Sequence, residues 1–248
     1  MSELVTALLA AGMLVAAFGY AAVGHGGASA YLAALALAGV APAQMRPIAL
    51  VLNTLVSAIG TYKFWRAGYF RWRLFWPFAI VSIPLAFLGG AITLPGHAYK
   101  VLVGAVLIYA AWQLWHSARA GEEMRPVREP PLVYAMTVGA VLGFLSGLTG
   151  VGGGIFLSPL LLMLGWAGTK QTSAVAAPFI LVNSIAGIAG GFTVQSARLP
   201  PQVAILALAV LIGGWLGAEY GSRRFANPLI RRILAVVLAA AGAKMVFV

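Results

Sequence analysis

The sequence predicts an all-α polytopic membrane protein made of two inverted repeats of about five hydrophobic segments each, with short or re-entrant helices after glycine-rich loops. Three observations carry this: apolar runs that fill nearly the whole chain, two glycine runs at matching places in its halves, and a lopsided placing of Lys and Arg. Of 248 residues, 62% are hydrophobic and 8% charged, whereas soluble domains carry about 25% charged residues. Sixteen Lys and Arg with five Asp and Glu cannot form a charged shell around so large an apolar surface, so lipid must cover most of it.

Apolar stretches bounded by Gly, Pro or charge run from Leu4 to Val23, Ala28 to Val40, Ile48 to Tyr62, Leu74 to Leu94 and Val101 to Trp115 in the first half. In the second half they run from Leu132 to Leu148, Ile155 to Trp166, Ser173 to Thr193, Val203 to Tyr220 and Leu229 to Val248. Most approach the ~20 residues that a spanning helix needs. The first does not resemble a signal peptide, because Glu3 stands where a basic residue is usual and apolar sequence resumes at once; it is expected to stay in the mature protein. The hydrophilic stretch from Ser117 to Pro131 holds Arg119, Glu122, Glu123, Arg125, Arg128 and Glu129. It divides the chain into a first transmembrane repeat at 1–117, a cytoplasmic linker at 118–131 and a second repeat at 132–248.

The halves share landmarks in the same order. Gly24-His25-Gly26-Gly27-Ala28 aligns with Gly150-Val151-Gly152-Gly153-Gly154, 126 residues on, and the same offset sets Phe18 on Phe144. Slightly larger offsets set Gln44 on Gln171, Leu88-Gly89 on Leu216-Gly217, Asn53-Thr54 on Asn183-Ser184 and Gly60 on Gly190. Small insertions in turns explain the drift, and duplication explains the order.

Charge gives the topology. If every segment crosses, the turns after the odd-numbered segments share one face, which holds Lys63, Arg66, Arg71, Arg73, Arg119, Arg125, Arg128, Lys170, Arg223, Arg224, Arg231 and Arg232. The other face holds Arg46, Lys100, Arg198 and Lys244. The basic face is therefore expected in the cytoplasm of a multi-pass cell-membrane protein, with both termini outside. An odd number of crossings per half inverts the second copy, as in many secondary transporters. The run from Tyr62 to Trp76 interleaves rings with cations, as an anchor at headgroup level does.

The net charge of +11 thus marks orientation, and nucleic acid is not an expected partner. The chain has no Cys and no Asp, three His and five Glu. This leaves little for a metal centre or a carboxylate pair, and no cofactor is expected.

The glycine loops carry the chemistry. Each precedes an apolar segment too short to cross a ~30 Å core at ~1.5 Å per residue. Paired, glycine-interrupted short segments at matching places point to a transporter site. Backbone without side chains, followed by a helix N-terminus, can aim several N–H groups at an anion; close helix packing is the other reading of such glycines. No Gly-Lys-Ser/Thr follows either run, which excludes a phosphate loop for nucleotides.

Candidate substrate contacts are therefore Gly24, His25, Gly26 and Gly27 in the first loop and Gly150, Gly152, Gly153 and Gly154 in the second. His25 is either a donor or proton carrier or a polar turn residue. Asn53 and Asn183, within apolar segments, either line a polar cavity or bond between helices. Thr172 and Ser173, with Gln171, open the eighth segment as a cap or as ligands. His25 with Ser29 would be a thin basis for an intramembrane hydrolase, since no second acid or base is in view; a non-enzyme is expected.

Both glycine runs, the continuation Ile155-Phe156-Leu157-Ser158-Pro159-Leu160, the segment Gln171 to Ala174 and the Gly-Ala stretch from Gly213 to Ala218 resemble the duplicated signature of the TauE/SafE sulfite exporter family. The first copy departs from the pattern at His25, Ala28 and Ala33, the last standing where the second copy has Pro159. The resemblance implies a secondary transporter that moves a small sulfur-containing anion, sulfite or an organosulfonate, across the cytoplasmic membrane. Alternating access between membrane lipids, with protons as a candidate coupling ion, is the expected mechanism. A passive anion channel is the alternative within transport, and a membrane-embedded enzyme or assembly factor the alternative outside it.

Overall fold

The computed structural model describes residues 3–117, 128–194, 199–223 and 228–247. Arg119, Glu122, Glu123, Arg125, Arg198 and Arg224, and most of the linker, lie outside the described residues, as does the side chain of Arg231. Among the described residues all regular structure is helical. The helices are α1 (Glu3–Ala21), α2 (Ala28–Leu37), α3 (Pro42–Arg66), α4 (Trp72–Ala91), α5 (Gly96–Ser117), α6 (Leu132–Thr149), α7 (Gly154–Met163), α8 (Thr169–Val194), α9 (Val203–Arg223) and α10 (Pro228–Phe247). Seven of them, α1, α3, α4, α5, α6, α8 and α9, are long and apolar enough to cross a membrane.

Several helices outrun their apolar segments. Arg46 and Lys63, expected in turns, lie inside α3, and Lys100 lies inside α5. Long cationic side chains tolerate this because an apolar stem can lie along the helix while the charge reaches the end of the span. The two short helices, ten residues each, stop at glycines with positive φ soon after their last turns, Gly39 (φ 74°) and Gly165 (φ 66°). Such glycines close a helix by accepting the left-handed conformation.

The packing has a two-fold pattern. Helix α1 packs on α9 as α6 packs on α4; α2 packs on α3 as α7 packs on α8; α3 packs on α9 as α8 packs on α4. The pairs α3–α8 and α5–α10 map onto themselves. Helices α4 and α9 thus each pack against the opposite half, and one apolar core forms around α4, α6, α7 and α8 while another joins α1, α2, α3, α5, α9 and α10. Close approach makes the two crossed contacts. A Cβ at Gly143 would overlap the Ser82 carbonyl of α4, and one at Gly217 would overlap the Phe18 carbonyl of α1, so small residues here set the helix spacing.

Polar contacts collect at the two ends. At one end Lys170 donates to the carbonyls of Gly221 (2.7 Å) and Ser222 (3.2 Å), Arg73 pairs with Glu129 (3.7 Å), and Lys63 of α3 bonds Glu219 of α9. At the other end of α3, Arg46 donates to the carbonyls of Gly90 (2.9 Å), in the last turn of α4, and Ile92 (2.8 Å), just after it, and Lys244 donates to Ala36 and Leu37 at the end of α2. Tyr62, Trp65 and Trp72 are exposed beside the first of these ends, where rings suit a headgroup layer.

Candidate functional site

The first loop is held by side chains from three directions. Gly24 (φ 76°) and Gly27 (φ 96°) turn the chain between α1 and α2, and Gly27 is the N-cap of α2 without a side-chain cap of its own. The missing cap is supplied across space: the Ala28 N–H donates to Asn53 Oδ1 at 3.2 Å, satisfying a donor that a helix start otherwise leaves open. The Tyr31 hydroxyl donates to the Gly26 carbonyl (2.7 Å), and Ser173 Oγ donates to the Val23 carbonyl (2.9 Å).

The second loop runs through Gly150, Gly152 and Gly153, with φ of 84°, 82° and 75°. Gly150 closes α6 with its N–H on the Ser146 carbonyl (2.8 Å), and Gly153 is the N-cap of α7, again with no side-chain cap. Thr149 Oγ1 accepts from the Val151 N–H at 3.3 Å, and the Tyr99 hydroxyl donates to the Thr149 carbonyl at 3.1 Å. Around the loop stand the stem of Arg46, 3.0 Å from where a Gly150 Cβ would lie, and Phe179, 3.0 Å from that point at Gly153.

The two loops, 126 residues apart in sequence, meet. Asn53 is fully buried between them. A side chain at Gly26 would overlap its Oδ1, and one at Gly152 would overlap its Nδ2. That same Nδ2 donates to Ser184 Oγ of α8 at 2.9 Å. His25 makes a second bridge, with Nε2 3.2 Å from the Gly154 carbonyl and Nδ1 3.1 Å from the Val23 carbonyl. A neutral imidazole carries one N–H and serves one of these carbonyls, whereas an imidazolium donates to both.

Nine of the twelve expected contact residues therefore converge: the eight loop residues and Asn53. Ser173 joins them through Val23, and a Gly24 Cβ would lie 2.6 Å from it. Gln171 caps the start of α8, its Oε1 accepting from the Gly168 N–H (3.4 Å), whereas Thr172 and Ser173 lie within the helix and Ser173 also donates back to the Thr169 carbonyl (3.2 Å). Thr172 and Asn183 are buried, and neither the Thr172 hydroxyl nor either polar atom of the Asn183 amide has a hydrogen-bond partner. Ser29 does not form a dyad with His25, since its hydroxyl donates to Tyr20 at 2.8 Å.

Sequence reasoning missed Tyr31, Ser184, Ser146 and Arg46. Ser184 was visible as the partner of Thr54 in the repeat alignment, and Arg46 only as a charge that set topology. Tyr31 and Ser146 left no sequence signal, because their roles depend on which carbonyl or loop they face.

A family model described as "Sulfite exporter TauE/SafE" matches residues 8–245. The chain is 42% identical over 241 residues to the probable membrane transporter protein y4hK of Sinorhizobium fredii, covering 96% of this chain and 97% of that one. It is 26% identical to the probable membrane transporter protein ORF9 of a Sinorhizobium species, over 86% and 81% of the two chains. It is also 25% identical to the probable membrane transporter protein YjnA of Bacillus subtilis, over 90% and 92%. No solved structure matches.

Proposed function

The chain belongs to the TauE/SafE family of sulfite exporters, and on that premise we propose that this membrane transporter is a secondary carrier for a small sulfur-containing oxyanion, sulfite or an organosulfonate. Its two halves are inverted copies, its basic face lies in the cytoplasm with both termini outside, and access alternates around the meeting point of the glycine loops. One observation carries this reading: both loops close on the single buried amide of Asn53, with His25 bridging to Gly154. Uncharged donors at unwound backbone hold an anion firmly enough to enter and loosely enough to leave. The exchange of packing partners between halves supports the inverted plan, and rigid rocking of one unit against the other is the usual motion of such folds. His25 is the proton carrier of the reading, because protonation changes how many of its two carbonyl partners it holds. No step here is catalytic.

Flux of radiolabelled sulfite into proteoliposomes tests the proposal. Uptake against its gradient under an imposed proton gradient is the expected result. Strictly downhill flux would make the protein a passive channel, and unchanged flux after bulky replacement of both Gly26 and Gly153 would remove the loops from the site.

A further inference from the structure

Resting on that reading, we propose that the oxyanion is seated in the second half, between α6, α8 and the 150–154 loop, by Asn183 and Ser146, and that it carries a single charge. Asn183 is fully buried, and neither its Nδ2 nor its Oδ1 has a partner; Ser146 Oγ is likewise buried and unpartnered. Buried polar atoms are nearly always bonded, because leaving one without a partner forfeits its hydration. Two such side chains at one place therefore point to a polar ligand.

Their neighbours place both on the boundary between α6, α8 and the second loop. Ser146 Cβ is 3.5 Å from where a Gly153 side chain would stand, and Phe179 is 3.0 Å from the same point. Asn183 follows Phe179 by one helical turn and precedes Gly187 by one turn. A Cβ at Gly187 would stand 3.3 Å from Gly147 Cα of α6, next to Ser146. Residues four apart share a helix face, so Asn183 faces the boundary of α6 and the loop. The amide supplies two N–H donors and the serine a third, and the first N–H groups of α7 emerge from the same loop.

The counterparts in the first half are engaged by protein. Asn53 bonds Ala28 and Ser184, and Tyr20, 126 residues before Ser146, accepts from Ser29. The pseudo-symmetry of the two halves thus breaks at the atoms that would bind. The charge limit follows from the surroundings: Arg46 lays its stem on Gly150 but directs its guanidinium to two carbonyls. With His25 neutral, Arg46 balances one negative charge, and a second would enter a buried seat uncompensated.

The test uses purified protein, with methanesulfonate and sulfate as probes in thermal unfolding and sulfite flux in proteoliposomes. Methanesulfonate is expected to raise the melting temperature of the native sequence and sulfate to leave it unchanged. Asn183→Leu is expected to keep or raise the ligand-free melting temperature, since it removes an unpaired amide. It should lose the methanesulfonate shift and at least ten-fold in flux. Ser146→Ala should reduce both readouts without lowering ligand-free stability. A ligand-free melting temperature that falls in both variants while the shift persists would make these side chains structural and overturn the seat. An equal shift with sulfate would overturn the charge limit. No shift and no flux in the native sequence would instead defeat the transport reading itself.

Discussion

The loop at 24–27 and the loop at 150–154 occupy matching places in the two halves, and both are tied by side chains, the second by Thr149, Tyr99 and His25, yet only the second also faces buried side-chain atoms that bond nothing. Ala28, Gly26 and Val23 each have a partner in Asn53, Tyr31 and Ser173. Beside the second loop Ser146 and Asn183 have none. Loops at matching places therefore need not be used alike. On our proposal, one loop supports the shape of the site and the other meets the substrate.

That comparison breaks or sharpens most at the glycines themselves. Gly152→Ala places a side chain at φ 82° against Ile180 and the Asn53 amide, so strain and overpacking together are expected to cost about 3 kcal/mol. Gly26→Ala meets Asn53 without a positive φ and should cost about 1–2 kcal/mol. Thermal unfolding of the two variants in the same detergent gives the order, and the reverse order would show the first loop to be the tighter one.

Asn53→Leu comes next. It strands the Ala28 N–H and the Ser184 hydroxyl in a buried place, at an expected cost of about 2–3 kcal/mol. The contrast with Asn183→Leu is the sharpest check of asymmetry, because the same substitution at aligned positions should move the melting temperature in different ways. His25→Gln replaces two ring nitrogens on separate edges with a single amide nitrogen, which cannot reach both the Val23 and the Gly154 carbonyl, so the bridge between them is lost. About 1 kcal/mol of stability should go with it, along with the proton-driven part of sulfite uptake. The smallest effect belongs to Ser173→Ala, which releases the Val23 carbonyl for about 1 kcal/mol or less; a larger loss would mean that the tie between α8 and the first loop holds more of the fold than one hydrogen bond.

Much of this molecule is legible in the chain. Ten apolar segments correspond to the ten helices of the described residues, and the two that looked short are the two ten-residue helices α2 and α7. Their glycines announce both the turns and the stops, since left-handed backbone at Gly27, Gly39, Gly153 and Gly165 excludes most other residues. Helix ends were less legible where cations sit inside spans, as with Arg46 and Lys63, because a long side chain hides its charge from the backbone around it. The crossed packing of α4 and α9 also escapes a linear reading, as each carries the same small-and-apolar pattern whichever half it meets.

The sequence by itself determined the solvent and the places where the backbone unwinds, because composition, periodicity and glycine conformation are local properties. Tertiary structure alone decided which amide is satisfied. Asn53 and Asn183 are the same residue in similar apolar surroundings, and nothing local distinguishes them. The difference is made by a hydroxyl 131 residues away, Ser184, and by the N–H of Ala28, since a buried hydrogen bond exists only where folding brings donor and acceptor within about 3 Å.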